Sequence, residues 1–129
     1  MDAMRIQELN HVAIHVAEVE RSCVFYRDVL KLEPMSRPAF DFPGAWFRLG
    51  TNQELHLIGK RDLPVSVGNA NNHFALQVDD IAPWEGHLET VGAECRPKKP
   101  RPDGAWQIFL RDPDGHVIEL CTAPGTLAS

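Results

Sequence analysis

Apolar and non-apolar residues alternate along positions 9–16, with Val12, Ile14 and Val16 set against His11, Ala13 and His15. A period of two predicts a half-buried strand. From Val19 to Leu32 the period lengthens, and Val19, Cys23, Tyr26 and Leu30 fall on one helical face. Strands are then expected around 46–50 and 54–59. The same order recurs further along. Phe74, Leu76 and Val78 alternate with His73, Ala75 and Gln77, and Ile81, Trp84, Leu88 and Val91 follow as an apolar helical stripe. Pro83 sits where a helix start tolerates proline. Gly86 weakens that helix by about 1 kcal/mol relative to alanine, and Gly92 suits the position just past its end. Two more strands are expected around 105–111 and 116–122, joined by the turn Asp112-Pro113-Asp114-Gly115. Pro97 to Pro102, with Lys98, Lys99 and Arg101, read as a proline-stiffened, solvated basic connector.

The recurrence extends to the residues themselves. NHVAIHV at 10–16 returns as NHFALQV at 72–78, GAW at 44–46 returns at 104–106, and Leu55-His56-Leu57 corresponds to Ile118-Glu119-Leu120. Three matches in one order at nearly constant spacing mark an internal duplication. Each copy is a βαβββ pattern, module 1 at about 8–60 and module 2 at about 70–123. Neither is comfortable alone at that size. The expectation is therefore one α+β domain over 1–129, with both modules sharing a sheet system and a cleft.

Strand alternation then selects the chemistry. Leu55 and Leu57 pack, leaving Glu54, His56 and Ile58 on the other face; Ile118 and Leu120 pack, leaving Val117, Glu119 and Cys121. Four strands thus present His11, His56, His73 and Glu119 away from the helix-packed side, as two pairs of repeat mates. Three imidazoles and one carboxylate suit a divalent first-row metal. Glu54 shares the face of His56 and can replace it as fourth ligand. His15 shares the face of His11, but its repeat mate is Gln77, so it is expected no nearer than the ligands' surroundings. His87 and His116 are read as solvated. Trp46 and Trp106 are candidate walls of a substrate pocket, and Arg48 is a candidate partner for an anionic substrate.

Composition narrows the class. Hydrophobic residues make up 43% and charged residues 24% of the chain, ordinary globular values. No run approaches the length of a membrane span, and the first residues carry no secretory pattern. A net charge of -5 argues against nucleic acid as the main partner. Cys23, Cys95 and Cys121 are odd in number and widely spaced, which predicts free thiols in a reducing cytoplasm.

NHVAIHV, Val24-Phe25-Tyr26-Arg27-Asp28-Val29-Leu30, the GAW strand, LHLIG, NHFALQV and DPDGHVIEL together resemble the vicinal oxygen chelate superfamily, over residues 8–123. The resemblance is nearest to its glyoxalase-I-like subgroup. It implies two tandem βαβββ modules forming an open eight-stranded cup around one metal, with His11, His56, His73 and Glu119 as ligands. It also implies one divalent ion per site (Zn, Ni, Mn, Co or Fe(II)), a small-molecule substrate and a homodimer. True glyoxalase I usually has glutamate at the position of His56, so this chain departs there. The activity expected is that of a metal-dependent lyase or isomerase. Its substrate would chelate the metal through adjacent oxygens, and Glu119 would serve as the catalytic base. The alternatives are a single-domain ring-cleaving dioxygenase, using His11, His73 and Glu119 alone, and a non-catalytic protein that sequesters a small molecule.

Overall fold

The computed structural model describes residues 4–63 and 72–128. The chain divides into two compact units, Met1–Asp62 and Leu63–Ser129. Each is a four-stranded mixed sheet with one helix crossing between its first and second strands, as the βαβββ pattern predicts.

The first unit contains β1 (His11–His15), α1 (Val19–Val24), β2 (Glu33–Met35), β3 (Gly44–Leu49) and β4 (Gln53–Ile58). The strand order is β1-β4-β3-β2. β1 runs parallel to β4, with His11 opposite Glu54 and Ala13 opposite His56. β3 and β4 are antiparallel, with Trp46 opposite His56. The core is Val16, Phe25, Tyr26, Leu30, Phe47, Leu49, Leu55 and Leu57, all buried. The helix is shorter than its sequence pattern implies. After Val24 it widens into a π-helical turn, Phe25–Val29, closed by the Leu30 amide on the Phe25 carbonyl. The wider turn brings neighbouring Phe25 and Tyr26 into the core together with Leu30, whereas Val19 and Cys23 are only half-buried.

The second unit contains β5 (His73–Gln77), α2 (Ala82–Thr90), β6 (Lys99–Pro100), β7 (Trp106–Arg111) and β8 (Val117–Cys121). Its order is β5-β8-β7-β6, again with the first strand parallel to the last. Ile81, Leu88, Ile108, Leu110, Ile118 and Leu120 fill its core. Val91, expected on the apolar stripe, is exposed because α2 has ended. Gly92, at φ +69°, turns the chain there. The Gly92 amide donates to the Glu89 carbonyl and the Ala93 amide to that of Leu88, the paired bonds of a glycine-terminated helix. The β7–β8 turn is organised by buried Asp112, whose Oδ1 accepts from the Asp114 and His116 amides. His116 and His87 are half-buried rather than solvated, and the His87 ring meets Trp84 edge-on. The basic connector is not wholly loop either. Lys99–Pro100 forms an edge strand on β7, a place in a sheet where proline's missing donor is tolerated.

Registers correct one repeat match. His56 stands opposite Trp46, and its mate Glu119 stands opposite Phe109. Phe109, not Trp106, therefore occupies the place of Trp46 in the second unit. Among the described residues no helix is long and apolar enough to cross a membrane.

Candidate functional site

In each unit the first and last strands lie side by side at the sheet's centre and edge, so alternation collects polar groups on one face. On the first unit, His11, His56 and Trp46 form a stack. The His11 and His56 ring centroids are 4.2 Å apart, and those of His56 and Trp46 are 4.0 Å apart and nearly coplanar in orientation, at 3°. His56 Nε2 donates to Glu54 Oε1 at 2.8 Å. The two rival candidates on this strand are thus hydrogen-bonded to each other. His11 Nδ1 bonds Asn10 Oδ1 at 2.7 Å. His15 is turned to the backbone, its Nε2 donating to the Gly59 carbonyl at 2.8 Å. Arg48 is half-buried, with Nη1 3.3 Å from the Thr51 carbonyl, and it sits between Glu33 and Glu54 in the strand registers.

On the second unit the matching face is charged. Glu119 is only 4% exposed, a position that requires partners for a carboxylate. It has three. His73 Nε2 lies 3.1 Å from Oε1, while Gln107 Nε2 at 3.1 Å and Arg101 Nη1 at 3.2 Å both donate to Oε2. Arg101 is held in turn by a two-pronged pair with Asp103, Nε to Oδ1 and Nη2 to Oδ2, each at 2.8 Å. The fork raises the pKa of Arg101 and holds the Asp103 carboxyl below the usual range. Beside it, burial pushes the Cys121 thiol up, with a further contribution from the Glu119 charge. Phe109 packs edge-on against His73, centroids 5.3 Å apart. Trp106 falls instead on the strand parity of Ile108 and Leu110, under Lys98 Nζ at 4.3 Å from its ring.

Sequence reasoning missed Arg101 and Gln107. Gln107 was legible: it alternates with packed Ile108 and shares the parity of Phe109. Arg101 was not, because its reach to Glu119 depends on β6 folding back along β7.

Among the described residues no three His, Cys, Asp or Glu side chains converge to hold a metal ion. The donor chemistry of the second unit nevertheless fits one. Two donors held side by side at about 2.1 Å from one ion stand about 3 Å apart, the separation of His73 Nε2 and Glu119 Oε1. With Oε2 occupied by Gln107 and Arg101, Oε1 is the oxygen turned toward the imidazole.

Two βαβββ units, each with an imidazole on the first strand and an imidazole or carboxylate on the last, define the class of duplicated-module proteins with an open sheet. The chain belongs to the Glyoxalase/Bleomycin resistance protein/Dioxygenase superfamily, whose sequence profile it matches over residues 8–120. It is 30% identical over 126 residues to Glyoxylase I 4 of Arabidopsis thaliana, covering 92% of this chain and 72% of that protein. It is 31% identical to the lactoylglutathione lyase of Salmonella typhimurium, covering 89% and 92% of the two chains. The metallothiol transferase FosB of Bacillus licheniformis is 29% identical, covering 95% and 79%. A solved structure of a glyoxalase family protein from Bacillus anthracis superposes with a TM-score of 0.80 at 25% identity, covering 94% of this chain and 98% of that one.

Proposed function

We propose that this protein is a metal-dependent, glyoxalase-like enzyme of the lyase or isomerase type, with His11, His56, His73 and Glu119 as ligands of a divalent ion. Its substrate is a small molecule carrying two adjacent oxygens. The observation that carries the proposal is the 3.1 Å approach of His73 Nε2 to a Glu119 oxygen whose partner oxygen is already anchored. Named relatives of both the lyase and the thiol-transferase kind support a metal-dependent reading. The bound ion supplies Lewis acidity toward the chelating oxygens. The chain's own residues do the rest. Gln107 and the Arg101–Asp103 fork orient Glu119, the carboxylate in contact with His73, to hold or move a proton at Oε1 when that oxygen is not engaged by the metal. Phe109 keeps water from one edge of His73. We further propose a homodimer in the cytoplasm.

Metal analysis of freshly purified protein, followed by turnover assays with each added metal, tests this reading. The screen pairs a glutathione hemithioacetal with thiol addition to an electrophile and with catechols. About one divalent ion per ligand set and turnover on an adjacent-oxygen substrate are expected. Unchanged metal content in both His11→Ala and His73→Ala would sink the ligand assignment, and light scattering at the monomer mass over a wide concentration range would exclude the dimer.

A further inference from the structure

From a second feature of the first unit we infer that it binds a planar aromatic acid, with the ring against Phe40, Phe42 and Trp46 and the anionic group on Arg37. The inference deepens the proposed function by naming a substrate class. It rests on that reading only in treating this face as the substrate side.

The stack described above does not end at Trp46. Phe40 lies 6.1 Å from Trp46, and Phe42 stacks on Phe40 at 5.2 Å. A ladder of five rings thus runs from His11 outward, and its last two members are 46% and 40% exposed. Adjoining half-exposed aromatic rings form an apolar patch of the kind that marks a binding surface. Arg37 is set over both, its guanidinium carbon 4.8 Å from the Phe40 centroid and 4.9 Å from that of Phe42. Such contacts favour a cation and leave its edge hydrogen bonds for a ligand. Arg37 Nη2 donates to the Phe42 carbonyl at 2.8 Å, which uses one of the five guanidinium donors.

Arg37 also borders a cavity of about 320 Å³, lined further by Cys23, Met35, Gly44, Trp46 and Phe47. That size suits a ligand of one or two rings. Gly44 is required there, because a Cβ would come within 3.0 Å of Arg37 Nε and Nη2 and within van der Waals exclusion of the Leu57 carbonyl. The bare backbone is what lets the guanidinium lie across β3. A second arginine, Arg27, reaches the same cavity but is neutralised by a two-pronged pair with Asp28, at 2.8 and 3.0 Å. Arg37 has no carboxylate partner among the described residues. A half-exposed aromatic edge, with a cation over it that has no carboxylate partner among the described residues and beside a cavity that neither Phe40 nor Phe42 lines, selects a ligand that is flat, apolar and singly negative.

The test uses the full chain stripped of metal with a chelator, so that failure of metal uptake leaves its outcome untouched. Calorimetric titration with 2-naphthoate should show saturable binding to about one equivalent per chain. Binding should be roughly tenfold or more tighter than that of 2-naphthalenemethanol, which has the aromatic rings without the charge, and of cyclohexanecarboxylate, which has the charge without an aromatic ring. Arg37→Gln should bring the acid to the alcohol's affinity. Phe40→Ala should weaken both aromatic ligands several-fold while leaving the non-aromatic acid where it was. Phe40 is exposed and Arg37 half-buried, and thermal melts verify that the variants fold. Equal binding of acid and alcohol, or undiminished naphthoate binding by Arg37→Gln, overturns the proposal. So does concentration-dependent self-association that Phe40→Ala abolishes and naphthoate does not compete with.

Discussion

The two units share strand order, strand directions and register, yet their corresponding faces carry different chemistry. At the place where the first unit stacks Trp46 on His56, the second sets Phe109 across from Glu119. The first face is a run of aromatic rings with half-exposed outer members. The second is a closed set of charge-assisted hydrogen bonds around one buried carboxylate. Backbone geometry fixes where side chains point; it does not fix what they are. After duplication, one copy is free to keep the rigid polar donors while the other takes on apolar recognition. The division is physically sensible, since a carboxylate needs several fixed partners when buried and a stacking surface needs only area.

Breaking the charged face should have the largest effect. Glu119→Gln retains size and one oxygen but loses negative charge, so turnover with saturating metal should fall by roughly 10²-fold or more. Full turnover of that variant would move the base elsewhere, to Glu54 first. Next come the groups that hold Glu119. Gln107→Leu and Arg101→Gln should each weaken metal affinity by roughly 10- to 100-fold, read by competition with a chelating dye. His15→Ala, whose ring is engaged by the Gly59 carbonyl, should leave affinity unchanged. Equal losses in all three would mean that the two faces do not differ in the way described.

Smaller effects mark features outside the two faces or at their margin. Gly92→Ala forces a side chain into the left-handed region at the end of α2 and should cost about 1 kcal/mol in denaturant unfolding. Asp103→Asn should matter least and with a characteristic pH dependence. The carboxyl is held low by the Arg101 fork, so its contribution is complete above the ordinary carboxylate range. It disappears as pH falls through the lowered value. The melting temperatures of wild type and Asp103→Asn should therefore converge in acid and separate slightly toward neutral pH. Separation in the opposite direction would contradict the fork.

Much of this was legible in the chain. Alternation of Val12, Ile14 and Val16 with His11, Ala13 and His15 gave the first strand and its polar face, because period two has few other physical readings. The Asp112–Gly115 turn announced its hairpin through residues that need no tertiary help. What escaped was non-local or irregular. The π-helical turn at Phe25–Val29 breaks the 3.6-residue period that a helical stripe presumes. The edge strand Lys99–Pro100 looked like connector because three prolines and three cations mask a pairing of only two residues. The GAW match failed as a structural equivalence because identity of letters does not report register. On the polar faces, alternation found the candidate residues but not their mutual bonds: no pattern foretells that His56 rests on Glu54, or that Arg101 reaches Glu119.

The parallel pairing in each unit also dictates an order of assembly. β3 and β4 turn back on each other within a few residues, as do β7 and β8, so these hairpins close locally and cheaply. β1 can join β4 only after the helix and two further strands have been accommodated, and β5 joins β8 under the same constraint. Long loops close slowly and late. His11 and His73, though first in their units to leave the ribosome, are the last to reach the faces they complete. The β3–β4 and β7–β8 hairpins can thus form before His11 comes beside His56 or His73 beside Glu119.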